Sequence, residues 1–340
     1  MSVSLLYLFV LGLTAPWVFA NHDDPHQWQV TTDDRGHMHL VSLDPYADPL
    51  FDHPAPLFNP EQDTHFYLYT RSMPEYPQII ANNDYDSVMY SKFNASDPTR
   101  IVIHGWGGSL NSQINGHIRT QLFNVGEFNV IFVDWSVGND AFYPNSRQLV
   151  YPVGIATSNL IDFLVRTKNL RREDVVVIGH SLGAHAAGNV GKGQMGRLPA
   201  IIGLDPALPF FAMNSVDRIK DTDAEYVEVI HTNGGVLGFM EPLGDADFYP
   251  NWGRIQPGCG VDVDGSCAHQ RAVDYYVESI SSRVGFVASQ CSSFQDIRSG
   301  MCSETGFSVR MGGEPTNSGT GVKGVFFVAT AGGRPFVNEC

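Results

Sequence analysis

Apolar positions in this chain come in short, nearly continuous runs separated by segments of helical length. The runs are RIVIHGW (Arg100 to Trp106), NVIFVDW (Asn129 to Trp135), DVVVIGH (Asp174 to His180), AIIGLD (Ala200 to Asp205) and EYVEVIHT (Glu225 to Thr232). Most are β-branched with little polar alternation, which predicts strands covered on both faces. Between several of them lie helix-length stretches, Arg147 to Arg166 and Leu182 to Gly191. Strand, helix, strand in repetition predicts an α/β chain with a mainly parallel central sheet and helices on both faces. HFYLYTR (His65 to Arg71) reads as an edge strand. No internal repeat or linker marks a second domain, so one domain is expected from residue 62 to 340. In such sheets chemistry collects at the carboxyl ends of the strands. Those positions here follow Ile103, Ile178, Leu204 and Ile230.

The amino-terminal part departs from this pattern. Residues 1–20 form an apolar run ending in small residues, with Val18 and Ala20 at cleavage positions, and read as a secretory signal without a basic n-region. The run is too short for a membrane span and is broken by Pro16. Residues 21–61, rich in His, Asp and Pro, read as a loosely ordered leader. His22/His26 and His37/His39 have spacings that a metal could use, but a solvated acidic tail explains them more simply. A net charge of −15 among 340 residues excludes nucleic acid as the partner and argues against docking on anionic membranes. No later segment is long and apolar enough to span a bilayer. All five cysteines lie in the last third. In an oxidising compartment the economical pairing is Cys259 with Cys267 and Cys291 with Cys302, leaving Cys340 over. Asn94 heads an N-glycosylation sequon, which suits a secreted, extracellular protein.

Gly179-His180-Ser181-Leu182-Gly183 matches G-x-S-x-G. The match follows four consecutive β-branched residues and opens an Ala-rich helix, which is the context of a nucleophile elbow. A serine nucleophile needs a base, and the base needs an orienting acid. Asp205 ends the next strand; Asp221, Asp223, Asp245 and Asp247 are weaker rivals off the strand ends. His231 and His269 both follow, and spacing alone leaves both open as the base. His180 is fixed within the turn, and His185 on the helix suits packing or local hydrogen bonding. The oxyanion requires two preorganised N–H donors. Leu182, after the serine, supplies one, and Trp106 in the loop HGWGG (His104 to Gly108) is the natural second. His104 is then structural.

GHSLGAH (Gly179 to His185), GLDPA (Gly203 to Ala207), VIHGW (Val102 to Trp106), VIHTN (Val229 to Asn233), DFYPNWG (Asp247 to Gly253) and Cys267-Ala268-His269 occur together and in order. This set resembles the pancreatic lipase family of α/β-hydrolases, and most of all its single-domain insect members and phospholipases A1. The resemblance runs from about Phe66 to the end. It implies Ser181 as nucleophile, Asp205 as acid, His269 rather than His231 as base, and Trp106 and Leu182 as oxyanion donors. The 71 residues after His269 complete a hydrolase domain and leave no room for the C-terminal β-sandwich of larger members, so no colipase is expected. Some members carry calcium in the loop after the acid. Here that loop keeps Asp223 but places Lys220 among the candidate ligands, and the reaction itself requires no cofactor.

Acyl transfer through a covalent intermediate follows from the residues and the resemblance alike. Phe142, Tyr143, Pro209, Phe210, Phe211 and Trp252 are candidates for lining an acyl groove, with core packing as the plain alternative. Triacylglycerol lipases of the family cover the site with a long disulfide-closed lid. Between Cys259 and Cys267 only seven residues remain, Gly260 to Ser266, and Gly234 to Ala246 is short as well. Both trends resemble phospholipase A1 and insect gut lipases and predict little interfacial activation. The expectation is a secreted glycerolipid ester hydrolase, with phospholipase A1 and neutral triacylglycerol lipase activity both open. The alternatives are a small-ester carboxylesterase and a catalytically silent lipid-binding or yolk-type protein.

Overall fold

The computed structural model describes residues 28–42, 58–139 and 142–337. The expected signal segment and Cys340 lie outside them. Eleven strands form one sheet: β3 (His65–Thr70), β4 (Met73–Ile80), β5 (Thr99–Ile103), β6 (Asn129–Asp134), β7 (Val175–His180), β8 (Ala200–Leu204), β9 (Val227–Ile230), β10 (Ala246–Pro250), β11 (Phe286–Cys291), β12 (Glu304–Met311) and β13 (Gly324–Val328). Their spatial order is β12-β11-β13-β10-β9-β8-β7-β5-β6-β3-β4. The run from β13 through β6 is parallel throughout. Antiparallel pairs extend it at both ends, β6-β3-β4 on one side and β13-β11-β12 on the other. This is the α/β-hydrolase architecture.

The continuous apolar runs are explained by the two faces of the sheet. Val175 and Val177 of β7 join Ile101, Ile103, Ile131 and Val133 in one core cluster. Helices Val150–Lys168 and Leu182–Gly193 cover that face through residues such as Leu160, Leu164, Ala186 and Val190. Val176 and Ile178, one residue out of phase, join Val102, Val130 and Phe132 in a second cluster. Helices Gln113–Val125 and Ser266–Ser281 cover that one through Ile118, Leu122, Val273 and Tyr276. A strand whose successive residues point to opposite faces must be apolar at both when both are covered.

Three local expectations are corrected. His65–Thr70 is not the edge, because β4 lies outside it. The residues of β4 include Pro74 and Pro77, which disguise a strand in sequence and are tolerated only at an edge. The single helix expected from Arg147 to Arg166 is two, Tyr143–Gln148 and Val150–Lys168, with Leu149 between them. Pro152 falls in the first turn of the second, the one place a helix accepts proline without losing a hydrogen bond. Finally, residues 28–42 of the leader form a two-stranded hairpin, β1 (Trp28–Thr32) and β2 (Met38–Ser42), separate from the main sheet. Among the described residues no helix is long and apolar enough to cross a membrane.

Candidate active site

The carboxyl ends of β7 and β8 and the start of helix Ser266–Ser281 meet at one place. Ser181 stands between β7 and helix Leu182–Gly193 with φ 56° and ψ −122°. Only a very tight turn permits this. A Cβ on Gly179 would lie 2.1 Å from the Gly183 carbonyl oxygen, and one on Gly183 would lie 2.2 Å from that of Ile103. Both glycines of G-x-S-x-G are therefore demanded by contact with backbone, which cannot give way. The turn leaves the Ser181 side chain at the helix start, where Leu182 N–H has no intrahelical acceptor.

Asp205 follows β8 and is fully buried. One carboxylate oxygen accepts hydrogen bonds from the Thr232 and Asn233 amides, at 2.7 and 3.0 Å. The other lies 2.5 Å from His269 Nδ1. Two backbone donors fix the carboxylate, so it in turn fixes the imidazole with Nδ1 as the protonated nitrogen and Nε2 free to accept. His269 is nearly buried, and its ring lies 4.5 Å from that of His180, the residue before the serine. The HGWGG loop closes the other side: a Cβ on Gly105 would come within 2.9 Å of Ser181 Cβ. Trp106 is buried there.

The other histidines have different employment. His231 is fully buried, with Nδ1 2.7 Å from the Phe239 carbonyl and Nε2 2.9 Å from Asp247 Oδ1. It also stacks on Tyr249; with both nitrogens engaged it has none to offer a serine. His185 donates Nε2–H to the Ala207 carbonyl at 2.7 Å and accepts from Ile219 N–H at Nδ1. Burial pushes its pKa down to about 3, so it stays neutral. His104 bonds the Gly105 carbonyl through Nδ1 at 2.8 Å and stacks on Trp135. The rival carboxylates are also engaged: Asp245 pairs with Lys323 and Asp247 with His231.

Calcium does not fit the loop after Asp205. Lys192 Nζ donates to Asp223 Oδ2 and to the Arg218 carbonyl, each at 2.7 Å. A built-in ammonium thus holds the oxygens a cation would need.

Of the aromatic candidates, Tyr143 and Phe210 stand with Trp106: Tyr143 meets the indole edge-on at 5.2 Å and Phe210 lies 6.0 Å further along. The Pro209 carbonyl accepts from the Tyr143 hydroxyl, and Phe142 leads into the same helix. Phe211 packs on His185 and Arg147, while Trp252 stacks on Phe327 in a separate cluster. Those two serve the core. Among the described residues the disulfides are Cys259–Cys267 and Cys291–Cys302. Two clefts, about 360 Å³ beside Asn82 and Arg166 and about 480 Å³ beside Glu278 and Arg334, contain none of Ser181, Asp205 or His269.

Sequence reasoning missed Asp34. It reaches the site from the hairpin and lies 3.2 Å from His180 Nδ1; nothing in its neighbourhood of the chain signals that contact.

Residues 53–336 match the sequence model of the family described as Lipase. The chain is 35% identical over 269 residues to pancreatic lipase-related protein 2 of Homo sapiens, covering 72% of this chain and 57% of that protein. It is 34% identical over 263 residues to pancreatic triacylglycerol lipase of Mus musculus, with 71% and 56% covered. It is 35% identical over 269 residues to a Mus musculus protein named inactive pancreatic lipase-related protein 1, with 72% and 57% covered. The chain thus spans somewhat more than half the length of these relatives. Among solved structures, the α/β hydrolase MGS-M1 from a deep-sea metagenome aligns over 53% of this chain and 86% of its own, at 18% identity and a TM-score of 0.34.

Proposed function

The chain belongs to the Lipase family, and from that premise we propose that it is a secreted carboxylic ester hydrolase acting on glycerolipids. The observation that carries the reading is the Asp205–His269 hydrogen bond set beside a serine held at positive φ. Family membership alone does not suffice, since one relative at 35% identity is named inactive.

In the proposed reaction His269 Nε2 removes the Ser181 proton as the hydroxyl oxygen attacks the ester carbonyl. Asp205 keeps the imidazole in the accepting tautomer and stabilises the imidazolium that forms. The Trp106 and Leu182 amides receive the oxyanion. The imidazolium then protonates the leaving alkoxide, the acyl group stays on Ser181, and water activated by the same histidine releases the fatty acid. Tyr143 and Phe210 offer the apolar wall nearest the oxyanion loop.

Phospholipids are the preferred substrate in this reading, because the loop closed by Cys259–Cys267 is too short to form a lid that opens only at an interface. Its tips, Val261 and Val263, are 91% and 90% exposed, so they cover nothing. Secretion is proposed on the apolar first twenty residues and the two disulfides, and glycosylation on the exposed Asn94 side chain.

A fluorophosphonate probe and a lipid-class assay test this. The wild type should be labelled at Ser181 and should release fatty acid from phosphatidylcholine, with no jump in rate at the micellar threshold. Ser181→Ala should lower turnover by several orders of magnitude, about 10⁴-fold or more, while retaining the fold. An unlabelled wild type refutes the catalytic reading; a strong preference for triolein with a jump at the interface refutes the substrate assignment.

A further inference from the structure

The hairpin β1–β2 makes no ladder with the main sheet, yet its turn enters the site. Asp34 N–H donates to the Trp106 carbonyl at 2.7 Å. Asp34 Oδ2 accepts from Gly105 N–H at 2.7 Å, and Oδ1 lies 3.2 Å from His180 Nδ1. A Cβ on Gly105 would meet Asp34 Oδ1 at 2.8 Å and Ser181 Cβ at 2.9 Å, so carboxylate and nucleophile flank the same glycine. His180 continues the chain of contacts, with Nε2 3.3 Å from the His269 carbonyl oxygen.

The turn itself is braced. Asp33 accepts from the Arg35 and His37 amides and pairs with Arg35, His37 and His39 side chains. The His39 ring packs on the Trp106 ring at 4.4 Å, and the Thr32 hydroxyl bonds Asp264 of the disulfide-closed loop. A free leader would place no carboxylate so exactingly.

The contacts of Asp34 land on two parts of the site that the proposed reaction depends on. One is the oxyanion loop, where Gly105 N–H and the Trp106 carbonyl flank the peptide whose nitrogen is the proposed second oxyanion donor. The other is the elbow residue that touches the backbone of the base. We propose that Asp34 is a positioning residue for ester hydrolysis, fixing the oxyanion loop and tying the nucleophile elbow to His269. This inference rests on the hydrolase reading above. Electrostatics agree with the geometry. Burial works against both charged forms, yet the hydrogen bond between the pair keeps the Asp34 carboxyl below its usual range and raises the His180 pKa. Each ring nitrogen of His180 faces an oxygen, Nδ1 that of Asp34 and Nε2 that of the His269 carbonyl.

A misplaced oxyanion donor weakens transition-state binding and leaves ground-state binding nearly untouched. The test is kcat and KM on p-nitrophenyl butyrate for the full chain carrying Asp34→Ala, Asp34→Asn or Asp34→Glu, with thermal melting as the check on folding. Asp34→Ala should lower kcat by about tenfold or more with KM within about threefold. Asp34→Asn should recover most of that loss, because the amide can still accept from Gly105 N–H and donate to a neutral His180. Asp34→Glu keeps the charge but displaces it by a methylene, should also lose kcat, and decides the matter if the alanine variant does not fold. Wild-type kcat in Asp34→Ala or Asp34→Glu, a loss carried by KM, or faster turnover from an uncovered entrance each overturns the proposal. A wild type inert to both ester and fluorophosphonate sinks the hydrolase reading and this role with it. An active wild type beside an equally active Asp34→Ala sinks this role alone.

Discussion

Glu228 shows how far a single buried side chain can set the behaviour of this chain with pH. It lies on β9 fully buried, accepting from the Tyr226 hydroxyl at 2.8 Å and from Gly312 N–H at 2.6 Å. Burial dominates over these donors and pushes its pKa from 4.5 up to about 7. A folded pKa above the unfolded one means the folded state holds its proton longer. The stabilisation is complete below pH 4.5 and is lost as pH rises through 7. Glu228→Gln removes the charge and with it this loss. Its melting temperature relative to wild type should be clearly higher at pH 8 than at pH 5; an offset that does not change with pH would contradict the assignment. The sequence showed a glutamate inside an apolar run, but its partners Gly312 and Asn317 lie 84 and 89 residues away. Asp34 was illegible for the same reason. Ser181 is the opposite case, since its constraint comes from glycines two residues to either side and is written locally.

At the scale of elements, the disulfide-closed loop has a task beyond being short. Helix Ser266–Ser281 begins after Gly265, which has no side chain to cap it. Asp262 supplies the cap from within the loop, accepting from Cys267 N–H at 3.2 Å and Ala268 N–H at 2.8 Å. His269 is the next residue, so the loop holds in place the helix end that presents the imidazole. Asp262→Ala should cost about 1 kcal/mol of stability and lower kcat more than it raises KM. Urea melts and ester kinetics check both, and unchanged values would show the cap to be idle. The buried strands β5 to β9 were legible because two covered faces force continuous apolar runs. Strands β4, β11 and β12 were not. Each has exposed or half-exposed positions and polar residues that interrupt the apolar run, and its pairing is settled by neighbours distant in sequence.

For the whole molecule, the net charge of −15 governs how it meets a surface. Repulsion from an anionic bilayer acts over about one Debye length, roughly 10 Å at 0.1 M salt. Hydrolysis of phosphatidylcholine vesicles should therefore slow as phosphatidylglycerol is mixed in at low salt, and recover near 0.5 M salt. Faster hydrolysis on the anionic vesicles would point to a local basic docking face that outweighs the total. Composition made this property legible; the hairpin's docking was not, because a polar segment carries no periodicity to announce a partner. The backbone of Ser181 also has a consequence for the history of such a chain. At φ 56° and ψ −122° an L-residue is strained by about 1–3 kcal/mol, and glycine is not. Folding alone therefore favours the loss of this serine, and a lineage released from the need to hydrolyse would drift downhill toward silence. Keeping a side chain there costs stability, and only the use made of its hydroxyl offsets that cost.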